Sequence, residues 1–116
     1  MKKKLSIIGL GYVGLPLAMA FEKHYQVIGY DVYKERISQL KVGNDKNNEF
    51  TKNEIFSSKN LKLTDDICET KDSEIFIITV PTPIFKSNLP NLNYLKSACE
   101  KVGKNLKTSS IIIFES

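Results

Sequence analysis

Three glycines near the start of the chain have a spacing that could hold a phosphate group. Gly9, Gly11 and Gly14 form the pattern G-x-G-x-x-G. In such a pattern the first glycine makes a tight turn, the second lets the backbone approach a pyrophosphate, and the third lets a helix pack closely on a sheet. The amide groups and the positive dipole end of that helix then face the phosphates. The spacing therefore predicts a dinucleotide-binding turn.

The same segment could instead be a secretory signal. Lys2 to Lys4 would be its basic region, Leu5 to Leu17 its apolar region and Ala18-Met19-Ala20 its cleavage site. However, Pro16 and the three glycines interrupt the apolar run, and another strand-like segment follows at 26–31. We therefore favour the phosphate-binding turn.

The elements on either side of the glycines support this interpretation. Leu5 to Ile8 is a short apolar run that predicts a buried parallel strand. From Val13 onward the apolar residues fall at helical spacing, and Pro16 is tolerated because it lies in the first helical turn. The glycines thus connect a strand to a helix, which is the context that a dinucleotide site requires.

An acidic residue ends the second predicted strand, at 26–30. Asp31 lies 22 residues after Gly9. Its carboxylate can accept hydrogen bonds from both ribose hydroxyls of an adenosine and would repel a 2′-phosphate, which favours NAD over NADP. Arg36 follows on a helix predicted over 33–41. It could flank the adenosine, or it could be a solvated helix charge.

The remaining sequence alternates between strand and helix signals. It predicts a short helix at 52–56, a strand at 61–63, a short helix that Asp65 or Asp66 caps and that ends near Thr70, a strand at 74–80, a helix at 92–106 capped by Asn91, and a buried strand at 110–114. This alternation indicates an α/β fold, a Rossmann-like doubly wound parallel sheet in strand order 3-2-1-4-5 with helices on both faces.

A proline-rich turn follows the strand at 74–80. Pro81 and Pro83 stop the strand and hold the backbone extended around Thr82. Ligands of open α/β sheets bind at the carboxyl ends of the strands, so Thr82 is a candidate binding residue.

Composition limits the remaining possibilities. The 116 residues, with a net charge of +4 and scattered lysines, predict one domain that does not bind nucleic acid. No apolar stretch is long enough for a membrane helix. Cys68 and Cys99 lack a CxxC spacing and His24 is the single histidine, so we expect no metal site and two buried, reduced cysteines, as in a cytoplasmic protein.

Four segments together resemble a known family. IGLGYVGLPLA, GYD followed by Arg36, VPTP, and IIIFES are similar to the amino-terminal NAD-binding domain of the nucleotide-sugar dehydrogenases related to UDP-glucose and GDP-mannose dehydrogenase. The resemblance covers essentially the whole chain. Within the family, the chain looks closest to the UDP-N-acetylhexosamine dehydrogenases of bacterial capsule and O-antigen polysaccharide synthesis.

The resemblance implies an oxidoreductase that converts the C6 alcohol of a UDP-sugar to a uronate with two NAD⁺. By similarity, the glycine turn with Tyr12 and Val13, together with Asp31, Arg36 and Thr82, would contact NAD. The family's nucleophilic cysteine belongs to a motif that would lie beyond Ser116, so no catalytic residue is assigned here. Residues 1–116 would be a dinucleotide-binding fragment, inactive alone, of a protein that forms a homodimer or larger assembly.

Two other functions use a similar sheet. A non-catalytic Rossmann module that senses a nucleotide remains an alternative for this segment. A methyltransferase that uses adenosylmethionine also has an acidic residue after its second strand. The glycine spacing together with Asp31 favours NAD over that cofactor, and VPTP has no evident role in such an enzyme.

Overall fold

A computed structural model describes residues 3–115. Within this range the chain forms one parallel sheet in the order β3-β2-β1-β4-β5. The strand order predicted from the sequence is therefore confirmed. The strands are β1 (Lys4–Ile8), β2 (Gln26–Tyr30), β3 (Leu61–Thr64), β4 (Ile75–Ile78) and β5 (Ile111–Phe114).

Helices connect the strands. They are α1 (Gly14–Phe21), α2 (Lys34–Lys41), α3 (Lys52–Ser57) and α4 (Asn93–Gly103), with a 3-10 helix at Ile67–Thr70. Thr51 and Glu54 form a reciprocal capping box at the start of α3. Of the two residues predicted to cap the next short helix, Asp65 and Asp66, it is Asp66 that caps the 3-10 helix. No helix in the described range is long and apolar enough to cross a membrane.

Alternate residues of the central strands enter two separate cores. Leu5 and Ile7 of β1 pack with α1, α2 and α3 on one face of the sheet, whereas Ile8 packs with α4 on the other. In β4, Phe76 and Ile78 belong to the α4 side and Ile77 to the opposite side. This alternation is the pattern of strands buried on both faces, and it confirms that helices cover both faces.

Two predicted elements are shorter in the structure. β4, predicted over 74–80, extends only from Ile75 to Ile78, and the Glu74 side chain before it accepts a hydrogen bond from the Lys4 amide at 2.7 Å. The helix predicted over 92–106 extends only from 93 to 103. Asn91 stands one residue before the N-cap, and its Oδ1 accepts a hydrogen bond from the Asn93 amide at 3.0 Å.

The prediction that the last strand is buried is wrong, and so is the prediction that both cysteines are buried. All four residues of β5 are exposed, by 38% to 58%, because neither hydrophobic core of residues 3–115 extends over the faces of this edge strand. Cys68 and Cys99 are also exposed. Cys99 follows the buried Ala98 in α4, so the face of this helix that packs on the sheet does not include it.

Candidate functional site

A cleft of about 660 Å³ opens at the carboxyl ends of β1, β2 and β4. Seven of the eight residues predicted to bind the cofactor line it, namely Gly9, Gly11, Tyr12, Val13, Asp31, Arg36 and Thr82. The eighth, Gly14, is buried behind the turn. The structure therefore brings together residues that are up to 73 positions apart in the sequence.

Two positions in the turn from β1 into α1 require glycine. Gly9 has a φ of 107°, which L side chains rarely adopt, and its amide donates to the Tyr30 carbonyl at 2.8 Å. A Cβ on Gly14 would overlap the Gly9 carbonyl oxygen and approach the Thr79 hydroxyl to 2.5 Å. Gly14 therefore allows the start of α1 to lie directly against the turn.

Gly11 faces open space. A Cβ placed there would meet no atom within 4 Å. The Leu15 amide donates to the Gly11 carbonyl at 3.2 Å, so the amides of Tyr12 and Val13 precede the hydrogen-bonded part of α1. The backbone at this point has both the room and the donors that a pyrophosphate needs, and these features fit NAD.

The Asp31 carboxylate faces the glycine turn. Its Oδ2 accepts a hydrogen bond from the Leu10 amide, and its Oδ1 accepts one from the Tyr33 amide, both at 2.9 Å. An ionised carboxylate has about four acceptor positions, so acceptor capacity remains for the hydroxyls of a ribose. Asp31 thus holds the turn and also lines the cleft beside it.

Arg36 is held between two partners. Its side chain is only 11% exposed, so the interpretation of this residue as a solvated helix charge is wrong. Its Nε donates to the Leu10 carbonyl at 2.8 Å, and its Nη1 donates to Asp45 Oδ1 at 2.9 Å. Arg36 therefore lines the cleft, and Asp45, which lies outside the cleft lining, holds its guanidinium in place.

Asp45 is a residue of the site that the sequence did not indicate. Its carboxylate is buried and accepts hydrogen bonds from Arg36 and from three backbone amides, those of Asn47, Glu49 and Phe50. Burial raises the pKa of Asp45, but the hydrogen bonds from Arg36 and the amides outweigh burial and leave the pKa below its usual value. Asp45 therefore remains ionised and organises the loop that follows it.

Thr82 lies on the far wall of the cleft, after β4. It is exposed, between the two prolines that follow Val80. The sequence also gave no indication of Thr79. Its hydroxyl group donates a hydrogen bond to the Gly9 carbonyl at 2.6 Å. This contact exists because β1 pairs with β4 in the register Ile8↔Ile78, which places Thr79 beside the turn.

The charges along the cleft are mixed. Lys34, Arg36 and Lys46 line it together with Asp31 and Glu35. Cationic side chains near the glycine turn favour an anionic ligand such as a pyrophosphate, whereas Asp31 selects against further negative charge beside it. In residues 3–115 no group of three or more histidine, cysteine or acidic side chains could hold a metal ion.

The parallel sheet, the glycine turn and the acidic residue at the end of β2 define a dinucleotide-binding domain of the Rossmann type. The model of the UDP-glucose/GDP-mannose dehydrogenase family, NAD binding domain, matches residues 3–116. The chain belongs to this family and carries its NAD-binding domain, and NAD is its cofactor.

Individual relatives agree with this assignment. The chain is 49% identical over 113 residues to UDP-N-acetyl-D-glucosamine 6-dehydrogenase of Salmonella typhi, covering 97% of this chain and 27% of that relative. It is 40% identical over 116 residues to protein CapL of Staphylococcus aureus, covering 100% of this chain and 27% of CapL.

A solved structure is also similar. The UDP-D-ManNAc dehydrogenase from Pyrococcus horikoshii superposes with a TM-score of 0.86 at 34% identity, covering 97% of this chain and 28% of that one. The chain therefore spans little more than a quarter of the length of the relatives that it matches.

Proposed function

We propose that this chain holds NAD⁺ for a UDP-sugar 6-dehydrogenase whose substrate is a UDP-N-acetylhexosamine. The observation that carries the cofactor part is the position of Asp31, whose carboxylate accepts a hydrogen bond from the glycine turn and lines the same cleft beside it. The family match and the relatives named for UDP-N-acetyl-D-glucosamine and UDP-D-ManNAc support the substrate part.

The proposal gives each part of the cleft a role toward NAD⁺. The amides of Tyr12 and Val13, beside the open face of Gly11, would donate to the pyrophosphate. The free acceptor positions of Asp31 would bind the hydroxyls of the adenosine ribose. Thr82, on the opposite wall, would contact the remainder of the dinucleotide.

Arg36 would flank the adenosine, a role that its place in the cleft wall supports. Gly14 would act indirectly, because it is buried and lets α1 start close to Gly9.

The reaction proposed for the full-length protein is the oxidation of the sugar C6 alcohol to a carboxylate. When bound, NAD⁺ supplies the hydride acceptor. Two NAD⁺ are consumed because the alcohol and then the thiohemiacetal of the aldehyde each lose a hydride and a proton, and water hydrolyses the resulting thioester to the carboxylate and the free thiol. The nucleophilic cysteine would come from a part of the protein beyond this chain. Cys68 and Cys99 are exposed and do not line the cleft, which supports leaving them out of the mechanism.

The setting of the reaction is also part of the proposal. We place it in the cytoplasm, in the synthesis of a bacterial surface polysaccharide, with the full-length enzyme as a homodimer or larger assembly. Support comes from the resemblance to the capsule and O-antigen enzymes and from the two free cysteines.

Calorimetric titration of the chain with NAD⁺ and NADP⁺ tests the cofactor part. We expect weak binding of NAD⁺ and weaker binding of NADP⁺, because Asp31 repels a 2′-phosphate. Asp31→Ala should weaken NAD⁺ binding, since each lost ribose hydrogen bond is worth about 0.5–1.5 kcal/mol. Asp65→Asn, which removes a carboxylate outside the cleft, is the control. No binding of NAD⁺ at millimolar concentration, or a preference for NADP⁺, would contradict the proposal.

A further inference from the structure

Both peptide groups of Leu10, in the middle of the glycine turn, are held by charged side chains. Its amide donates to Asp31 and its carbonyl accepts from Arg36. Its own side chain is fully buried and packs against Gly29, where an added Cβ would lie 3.2 Å from Leu10 Cδ2. The position of Leu10 in the turn therefore depends on two charged side chains that come from outside the turn.

Arg36 in turn depends on Asp45. The guanidinium spans from the Leu10 carbonyl to the Asp45 carboxylate, while its buried Nη2 has no hydrogen-bond partner in residues 3–115. Asp45 is therefore the contact that fixes the outer end of this side chain. Unlike Arg36 and Leu10, Asp45 does not line the cleft.

The same carboxylate also shapes a wall of the cleft. It accepts hydrogen bonds from the amides of Asn47, Glu49 and Phe50, at 3.1, 2.9 and 3.2 Å. Lys46 and Asn47 lie in this loop and line the cleft. One buried group thus connects the loop at 45–50 to the turn at 9–14.

We propose that Asp45 is a positioning residue for cofactor binding, which acts through Arg36 to place the Leu10 carbonyl and the pyrophosphate-binding amides that follow it. This inference rests on the proposed function, since it assumes that the turn receives a pyrophosphate. A loss of Asp45 would let Arg36 swing away from Leu10, and the turn would then bind phosphate less well. The adenosine end of the site, at the free positions of Asp31, would be much less affected.

The test compares two ligands that differ in their phosphates. ADP-ribose carries the pyrophosphate and adenosine does not. Their dissociation constants are measured by NMR titration of the 116-residue chain and of Asp45→Asn and Arg36→Lys. Asp65→Asn and Lys41→Gln are controls, because each removes one charge outside the cleft, the latter from the same helix as Arg36.

We expect both test variants to bind ADP-ribose about tenfold more weakly, equivalent to about 1.4 kcal/mol. Adenosine binding should weaken less, by no more than about threefold, because Asp31 keeps its contacts with the ribose even where Arg36 no longer flanks the adenosine, and the controls should match the original chain for both ligands. In the ligand-free chain, the Leu10 amide proton resonance should shift in the two test variants and stay in place in the controls. Because Arg36→Lys keeps the charge, it remains informative if Asp45→Asn does not fold.

Other outcomes would overturn the inference. Unchanged ADP-ribose affinity in a folded test variant would show that the turn does not need Asp45. An equal loss for adenosine and ADP-ribose would show that Asp45 and Arg36 support the whole site and have no particular effect on the glycine turn. If the original chain bound neither ligand, the proposed function itself would fail, which separates the two failures.

Discussion

The two edge strands of the sheet have the same length but different surroundings. In β3, Thr64 is buried, and Lys62 points to solvent and pairs with Glu69 at 2.8 Å. In β5, three isoleucines and a phenylalanine are all exposed. An edge lysine discourages further strand pairing, whereas an exposed apolar edge favours it.

This difference distinguishes two sides of the molecule, which we call the finished side and the open side. The finished side holds β3, α2, the loop at 45–50 and the glycine turn, and charged side chains here hold one another or the turn, namely Asp31, Arg36, Asp45, Lys62 and Glu69. The open side holds β5 and the loop after β4, where Ile84, Phe85 and Leu89 are exposed. The end of the cleft beside Asp31 and Arg36 is therefore the more complete part of the site.

The largest expected effect is a difference between two phenylalanines on adjacent strands. Phe76 in β4 is fully buried, and Phe114 in β5 is 58% exposed. We expect Phe76→Ala to lower the free energy of unfolding by about 3–5 kcal/mol, and Phe114→Ala by less than about 1 kcal/mol. Urea unfolding measures both values. A similar loss in the two variants would show that β5 is covered in solution and would remove the contrast between the two sides.

The next largest effect compares two glycines. We expect Gly14→Ala to cost about 1–3 kcal/mol, since its Cβ would overlap the Gly9 carbonyl. Gly103→Ala, at the end of α4, is the matched control, because its Cβ would meet nothing within 4 Å and alanine is the better helix former. Urea unfolding should show a loss for the first variant and a gain of up to about 1 kcal/mol for the second. If neither substitution lowered the free energy of unfolding, the backbone of the turn would be able to move away from the added Cβ.

Most of the fold was predictable because its signals are local. The glycine spacing, the helical periodicity after it and the apolar runs of the strands placed β1, α1 and β2 to within one residue. Chain connectivity then determined the sheet order through the preference for right-handed crossovers. The burial of β5 could not be predicted, because an apolar composition does not show which layers cover a strand.

The parts of the site that the sequence missed depend on long-range contacts. Thr79 reaches Gly9 through the register between β1 and β4, 70 residues apart. Asp45 lies in a polar segment with no periodicity, and its role arises from the backbone amides that fold around it. Arg36 had two open interpretations, because a helix position alone does not show whether a partner is present.

A third prediction concerns pH and the finished side. The folded-state pKa of Asp45 is lowered, so its contribution to stability is present above the pKa of the unfolded chain and is lost as the pH falls through the folded value. Urea unfolding between pH 7 and pH 2 should show a constant difference between the original chain and Asp45→Asn down to about pH 4. Below that, the difference should shrink, because the protonated carboxyl resembles the amide.

The control for this prediction is Asp65→Asn, which should differ little from the original chain at any pH. Glu69 and Glu74 also have lowered pKa values, so both chains should lose stability in acid, and only the difference between them reports on Asp45. A difference that stayed constant down to pH 2 would show that the charge of Asp45 does not stabilise the loop.

The smallest expected effect is at the β3 edge itself. The hydrogen bond from Lys62 is the main cause that lowers the pKa of Glu69, but both side chains are partly exposed to water. We therefore expect Lys62→Ala to reduce the free energy of unfolding by less than about 1 kcal/mol, with Lys59→Ala as the control for a nearby exposed lysine. A loss above about 2 kcal/mol would mean that the finished edge depends on this one pair, because a solvated surface ion pair cannot supply so much.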